Sequence, residues 1–332
     1  MSADAAPLSS SAFIAELDPR EKNLGRFLAT LASGVVGGFL IGLVVGLAAL
    51  LAVGLFTGAF NDGVSQIAPH IEALVGADGA TVTSALTLVL LALATNGPWA
   101  ATFVVVAALF SGRRILSYLT AAPRFRWRLL VCGLVLAALF MAPVVAASRL
   151  SDPHAAPPPM LSLATTLPGQ IGYTLACFLL LIPAAAAEEV VFRGWLLRQS
   201  AALTRNPFFL MALNGVLFSA VHGEFAPEAF LERALMGAGF VYMTLRLGGI
   251  EFSTGAHAAN NIMIVLFIQP ISLKAAPSYG ISLDSLLEDV FLICSYVLMT
   301  ELTARWAPLR RWTGVDLAGG PTPTSVAAEH FA

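Results

Sequence analysis

Apolar residues along this chain fall in long runs, not in the two-residue alternation of a strand. Eight runs reach or approach the ~20 residues that a membrane-crossing helix needs. They cover about residues 30–57, 85–110, 129–147, 171–196, 207–226, 234–250, 252–270 and 286–305. Polar or proline-rich links separate them, notably 61–84, 111–128, 148–170 with Pro157–Pro159, and 271–285. The pattern predicts an all-α polytopic membrane protein with about eight transmembrane helices. The first run extends from near Phe27 to Phe60, well beyond the ~7–15 residues of a signal-peptide core, so it reads as a helix that stays. It carries Gly34, Gly37, Gly38, Gly42 and Gly46, which permit close packing within the chain or between chains. Residues 1–26 are polar and read as a mostly disordered tail with a short amphipathic end.

Composition agrees. The 332 residues are 58% hydrophobic and 11% charged, with a mean hydropathy of +0.81, against about 25% charged residues in a soluble domain. The net charge of −2 argues against a nucleic-acid partner. Cys132, Cys177 and Cys294 lie in apolar runs and read as small buried side chains. With eight helices, fifteen of the eighteen Lys and Arg fall on the side that holds both termini. By the positive-inside rule that side is the cytoplasm, which predicts a multi-pass protein of the cytoplasmic membrane, with the lipid bilayer as its first partner.

Charges are costly at the bilayer centre, about 2.5–3.5 kcal/mol each even on insertion scales, so polar residues inside the apolar runs are informative. "AEEVVFRGW" (187–195) carries Glu188, Glu189 and Arg193. Glu189 and Arg193 are four apart and share a helix face, so Arg193 neutralises Glu189. Glu188 then points about 100° away, free for another role, and Pro183 offers a bend that would admit water. In 213–224, Asn214, Phe218 and His222 form a stripe at four-residue spacing. In "STGAHAANNIM" (253–263), His257 and Asn261 share a face, with Asn260 beside them. A helix boundary could explain the first group, and a helix-end histidine the second. The third is costly unless it serves a site or a polar helix contact.

Elsewhere the plainer reading holds. His70, His154 and His330 read as surface histidines, Asn96 with Pro98 as a kink or polar helix contact, and Glu288, Asp289 and Glu301 as boundary charges. Glu224 stands two residues from His222 and could share its site.

Two Glu, one Arg, two His and Asn suit acid–base chemistry on water: a carboxylate to take a proton, a histidine to position water or donate, and donors for a developing oxyanion. No Gly-x-Ser-x-Gly elbow or His-Glu-x-x-His motif occurs. Glu188, His222 and His257 would also make a two-His, one-Glu catalytic zinc set.

The ordered set E-E-x-x-x-R at 188–193, F-x-x-x-H at 218–222 and H-A-x-x-N at 257–261 resembles the CAAX-protease and bacteriocin-processing (CPBP, or Abi) family of intramembrane proteases, which includes the Ras-converting CAAX endoprotease. The resemblance covers about residues 165–270. It implies an eight-helix membrane fold with a cavity open to the cytoplasm. It also implies Glu188 as general base on water, helped by His222, with His257 and Asn261 as oxyanion donors. Glu189 and Arg193 match the rest of the first motif, and Phe218 and Asn260 lie within or beside the others. The family is often labelled metalloprotease. Its structural picture favours glutamate chemistry without a required cofactor, and asparagine is a poor zinc ligand, so zinc on Glu188, His222 and His257 is the lesser reading.

The expected organisation is a cytoplasmic tail (1–26), N-terminal transmembrane helices (27–164), a catalytic core (165–270), a last helix with its link (271–305) and a cytoplasmic tail (306–332). The expected activity is endoproteolysis of a membrane-associated peptide or protein. The alternatives are a non-catalytic immunity or scaffold protein of the same fold, or a proton-coupled transporter. One tension stands within this reading. If the fourth helix ends at 196 and the fifth starts at Pro207, His222 lies about 22 Å along the fifth helix, deeper than Glu188.

Overall fold

A computed structural model describes residues 8–15, 17, 19–58, 67–76, 79–151, 156–272 and 280–319. Each of the eight apolar runs is helical. In chain order these are α1 (Leu24–Thr57), α2 (Val82–Ser111), α3 (Trp127–Ser151), α4 (Leu167–Glu189), α5 (Pro207–Val221), α6 (Pro227–Leu247), α7 (Glu251–Met263) and α8 (Leu283–Arg305). No strand occurs among the described residues. Four helices are long and apolar enough to cross a membrane: Leu24–Thr57, Val82–Ser111, Trp127–Ala147 and Leu167–Leu203. α5 is apolar but has only 15 residues.

Local chemistry sets the helix ends. Asn23, Thr81 and Thr166 each cap an N-terminus through the side-chain oxygen, satisfying a free backbone N–H. Asn206 caps α5 by accepting from Phe208 and Phe209, and Pro207 follows at the first helical position, where no N–H is missed. α4 does not stop at Glu189. It widens into a π-helix over Val190–Leu196 and runs on through Leu197–Leu203. Such wide turns gather at functional positions because they re-aim side chains without ending the helix.

Glycine sets the packing around the site. A Cβ on Gly34, Gly38 or Gly42 would meet Phe103, Trp99 or Thr95 at 2.7, 2.1 and 3.2 Å respectively. The glycine stripe of α1 therefore seats on α2 within the chain, antiparallel, at matching four-residue steps. α3 and α7 touch backbone to backbone, since a Cβ on Gly255 would lie 2.0 Å from the Leu130 carbonyl and one on Gly133 2.3 Å from that of Phe252. α7 is the most enclosed helix, buried from Glu251 through Ala259. Its first turn is held by Arg126, which donates to both carboxylate oxygens of Glu251 at 2.9 and 2.7 Å and to the Leu247 carbonyl at 2.8 Å.

Three details differ from the sequence reading. Within the expected tail, Leu8–Ser10, Ala12–Ala15 and Pro19–Lys22 form short helical turns, with Phe13 and Ile14 buried in an apolar cluster with Leu197, Leu210 and Val241. Cys132 and Cys177 are buried, but Cys294 is exposed on α8. Asp289 is buried, not a boundary charge at the surface. The side chain of His70, and all of His154 and His330, lie outside the described residues.

Candidate active site

Glu188 and Glu189 leave α4 on different sides, as helix geometry predicts. The Arg193 guanidinium lies 3.0 Å from Glu189 Oε1, and both side chains are fully buried. Arg193 also donates to the Gly237 carbonyl at 3.1 Å. Its charge lies over the rings of Phe218 and Phe240, 4.4 and 5.0 Å from the centroids, where aromatic faces favour a desolvated cation. Glu189 Oε1 also accepts from His257 Nδ1–H at 3.1 Å.

Glu188 faces a second cluster. Its Oε2 lies 3.7 Å from His257 Nε2 and 4.0 Å from His222 Nε2. These separations are too long for direct hydrogen bonds. The same oxygen is buried and has no hydrogen-bond partner among the described residues. His222 caps the end of α5 and sends Nδ1–H to the Phe218 carbonyl at 2.8 Å. A carbonyl only accepts, so this bond fixes the tautomer and leaves Nε2 as the free nitrogen. The Glu189 carboxylate orients His257 in the same way. Both imidazole Nε2 atoms therefore lie within 4.0 Å of one carboxylate oxygen. Glu188 and His222 are partly open, their side chains 23% and 32% accessible, and His257 is almost closed at 3%.

Aromatic rings fix the histidines. Phe218 meets His222 and His257 edge-on, and Phe240 stacks on His257 at 5.1 Å. Asn260 and Asn261 stand half-buried one turn beyond His257 on α7. Asn214 belongs to the same α5 stripe but serves packing, donating to the Leu210 carbonyl at 2.9 Å and to Ser200 Oγ at 3.4 Å. Glu224 pairs with Arg233 at 2.5 Å instead of entering the site.

The depth of His222 follows from the true end of α4. The helix continues to Leu203, so Glu188 lies fifteen residues before the α4–α5 turn and His222 fifteen after it. At ~1.5 Å per residue both stand about 22 Å from that turn, at one level. Asn96, read from the sequence as a kink or polar helix contact, does make such a contact: from α2 its Nδ2 donates to Glu188 Oε1 at 3.2 Å, a partner that nothing in its local sequence pointed to.

The residues fit zinc poorly. A tetrahedral site with ~2.0–2.1 Å bonds brings ligand atoms to about 3.3–3.4 Å of one another, and both Glu188–imidazole separations exceed that. Among the described residues no group of three His, Cys, Asp or Glu side chains is arranged to hold a metal ion.

Comparison with known proteins places this site in context. Residues 170–263 match the family model described as Rce1-like, "Type II CAAX prenyl endopeptidase Rce1-like". The CAAX-endopeptidase resemblance seen in the sequence is thus borne out over the segment that carries all three motifs. A stretch of 103 residues is 41% identical to "Uncharacterized protein YyaK" of Bacillus subtilis (strain 168), covering 29% of this chain and 34% of that protein. The match spans about a third of that curated relative's length. No solved structure matches the chain.

Proposed function

We propose that this chain is an integral membrane endopeptidase that cleaves a membrane-associated peptide or protein with water activated by Glu188. The observation that carries the reading is the proximity of Glu188 Oε2 to the Nε2 atoms of both His222 and His257, at 4.0 and 3.7 Å, inside an apolar helical fold. Glu188 Oε2 takes a proton from water as its oxygen adds to the scissile carbonyl carbon. His222 Nε2 accepts from the same water and aims it. The oxyanion that forms is held by His257 and Asn261. Since His257 Nδ1–H is committed to Glu189, His257 can donate through Nε2 only as the imidazolium, and the Glu189 carboxylate is its counter-charge. When the tetrahedral adduct collapses, the C–N bond breaks and Glu188 returns its proton to the leaving amine. No step uses a metal ion, so a chelator is expected to leave turnover unchanged.

In this reading α5 to α8 cross the bilayer along with the four longer helices, giving about eight crossings. Both termini face the cytoplasm, where the basic links gather, and the membrane is the cytoplasmic one. The catalytic core spans about 165–270, and relationship to the wider CPBP (Abi) group accompanies it. The test compares proteomes of membrane fractions from strains with wild type, Glu188→Gln or no copy, at matched protein levels. A peptide product lost in both the deletion and Glu188→Gln supports the protease and identifies its substrate. A Glu188→Gln strain that matches wild type throughout replaces it with the non-catalytic immunity or scaffold reading.

A further inference from the structure

We infer that Asn96 is a positioning residue for Glu188, an inference that rests on the proposed protease reading. Asn96 lies on α2, outside residues 170–263 that match the family model. Its Nδ2 donates to Glu188 Oε1 at 3.2 Å, and the two residues are 92 positions apart. A terminal carboxylate torsion is broad and nearly two-fold, so packing alone does not decide where its oxygens point. The Asn96 donor does. It engages Oε1 and leaves Oε2 turned toward His222 and His257, buried and without a hydrogen-bond partner among the described residues.

α2 is held in place to do this. Thr95, Trp99 and Phe103 lie against the glycine stripe of α1. The Thr95 hydroxyl is turned back to its own helix, donating to the carbonyls of Leu91 and Ala92. That setting leaves the adjacent Asn96 toward α4. Of the groups around the carboxylate, Glu189 and Arg193 on its own helix are engaged with each other, and the imidazoles of His222 and His257 face Oε2. Asn96 thus supplies the one side-chain donor that Glu188 Oε1 has among the described residues.

The competing explanation is a polar contact that merely joins α2 to α4. Purified protein distinguishes the two with Asn96→Leu, Asn96→Asp and Asn96→Gln. Asn96→Asp keeps the shape and loses the donor, whereas Asn96→Gln keeps an amide. The first readout needs no substrate. The infrared carboxylate band assigned to Glu188 by its loss in Glu188→Gln should move in Asn96→Leu and Asn96→Asp. The second uses a synthetic peptide spanning the cleavage site found in the membrane-fraction comparison. There kcat should fall about 10- to 100-fold in Asn96→Leu and Asn96→Asp, the scale of one hydrogen bond to a charged acceptor. KM should stay within about threefold, and Asn96→Gln should recover most of the rate. An unmoved band, or a loss of rate that only tracks the loss of folded protein, overturns the positioning role. A wild-type protein that cleaves nothing overturns the protease reading instead, with the infrared band still reporting the contact.

Discussion

Removing both charges of the Glu189–Arg193 pair should cost several kcal/mol less than the two single removals added together. The guanidinium and carboxylate are 3.0 Å apart and each is fully buried. At an effective dielectric of ~20, that separation corresponds to an attraction of about 5.5 kcal/mol. Arg193→Met leaves the Glu189 carboxylate buried with no cation paired to it at 3.0 Å, held by neutral donors such as His257 Nδ1–H. Glu189→Gln leaves a guanidinium enclosed by Phe218 and Phe240 with the Gly237 carbonyl as its remaining acceptor. Each single variant should therefore lose about 3–5 kcal/mol, the usual cost of stranding one buried charge. The double variant Glu189→Gln/Arg193→Met strands neither and should lose several kcal/mol less than the sum of the two. The assay is reversible unfolding of purified protein in mixed micelles, with all four proteins measured together. Additive losses, or single-variant losses below about 1 kcal/mol, would refute the view that this pair is an obligatory buried ion pair. Activity adds a second axis. Glu189→Gln also replaces the carboxylate that orients the His257 ring through Nδ1, so its turnover should fall further than its folded fraction does.

Other outcomes follow from the same geometry. His222→Ala should lower kcat about 100-fold or more, in the range of a lost proton-handling group, while the unfolding midpoint barely moves, since its side chain is one-third open; single-turnover kinetics and calorimetry together check this. Arg126→Leu should cost about 3–5 kcal/mol, because it strands Glu251 at the buried start of α7, and chemical denaturation reads the loss. Gly255→Ala should cost about 1–3 kcal/mol, since its Cβ would meet the Leu130 carbonyl at 2.0 Å and push α7 from α3; hydrogen exchange along α7 should rise with it. Dialysis against a chelator should leave turnover within error of the untreated protein, and a loss restored by added zinc would overturn the metal-free mechanism.

Periodicity made the helices legible, because long apolar runs have few other folds available in a bilayer. It also made the Glu189–Arg193 pair legible, since four-residue spacing is a local rule. The level of His222 was not, and the cause lies in "LRQSAAL" at 197–203. Arg198 there looks like a charge beyond the membrane, yet it is buried, donating to the Phe13 carbonyl at 2.6 Å and lying 3.3 Å from Glu21. The segment therefore continues α4. Phe13 and Ile14 escaped notice for the related reason that a short apolar pair in a polar stretch carries no period. Asn96 and the Arg126–Glu251 pair join residues 92 and 125 positions apart, and no local pattern announces such contacts. The histidines and Asn261 stood out only because polar groups are costly within apolar runs.

The central claim is that Glu188 activates water, and the most direct measurement is turnover by purified protein reconstituted in lipid vesicles. Wild type and Glu188→Gln would be compared on one peptide spanning the cleavage site, with folding of both verified by their unfolding midpoints. The account predicts that Glu188→Gln stays folded and loses about 100- to 10,000-fold in kcat, the contribution of a general base. A folded Glu188→Gln that keeps more than about a tenth of the wild-type rate would contradict it.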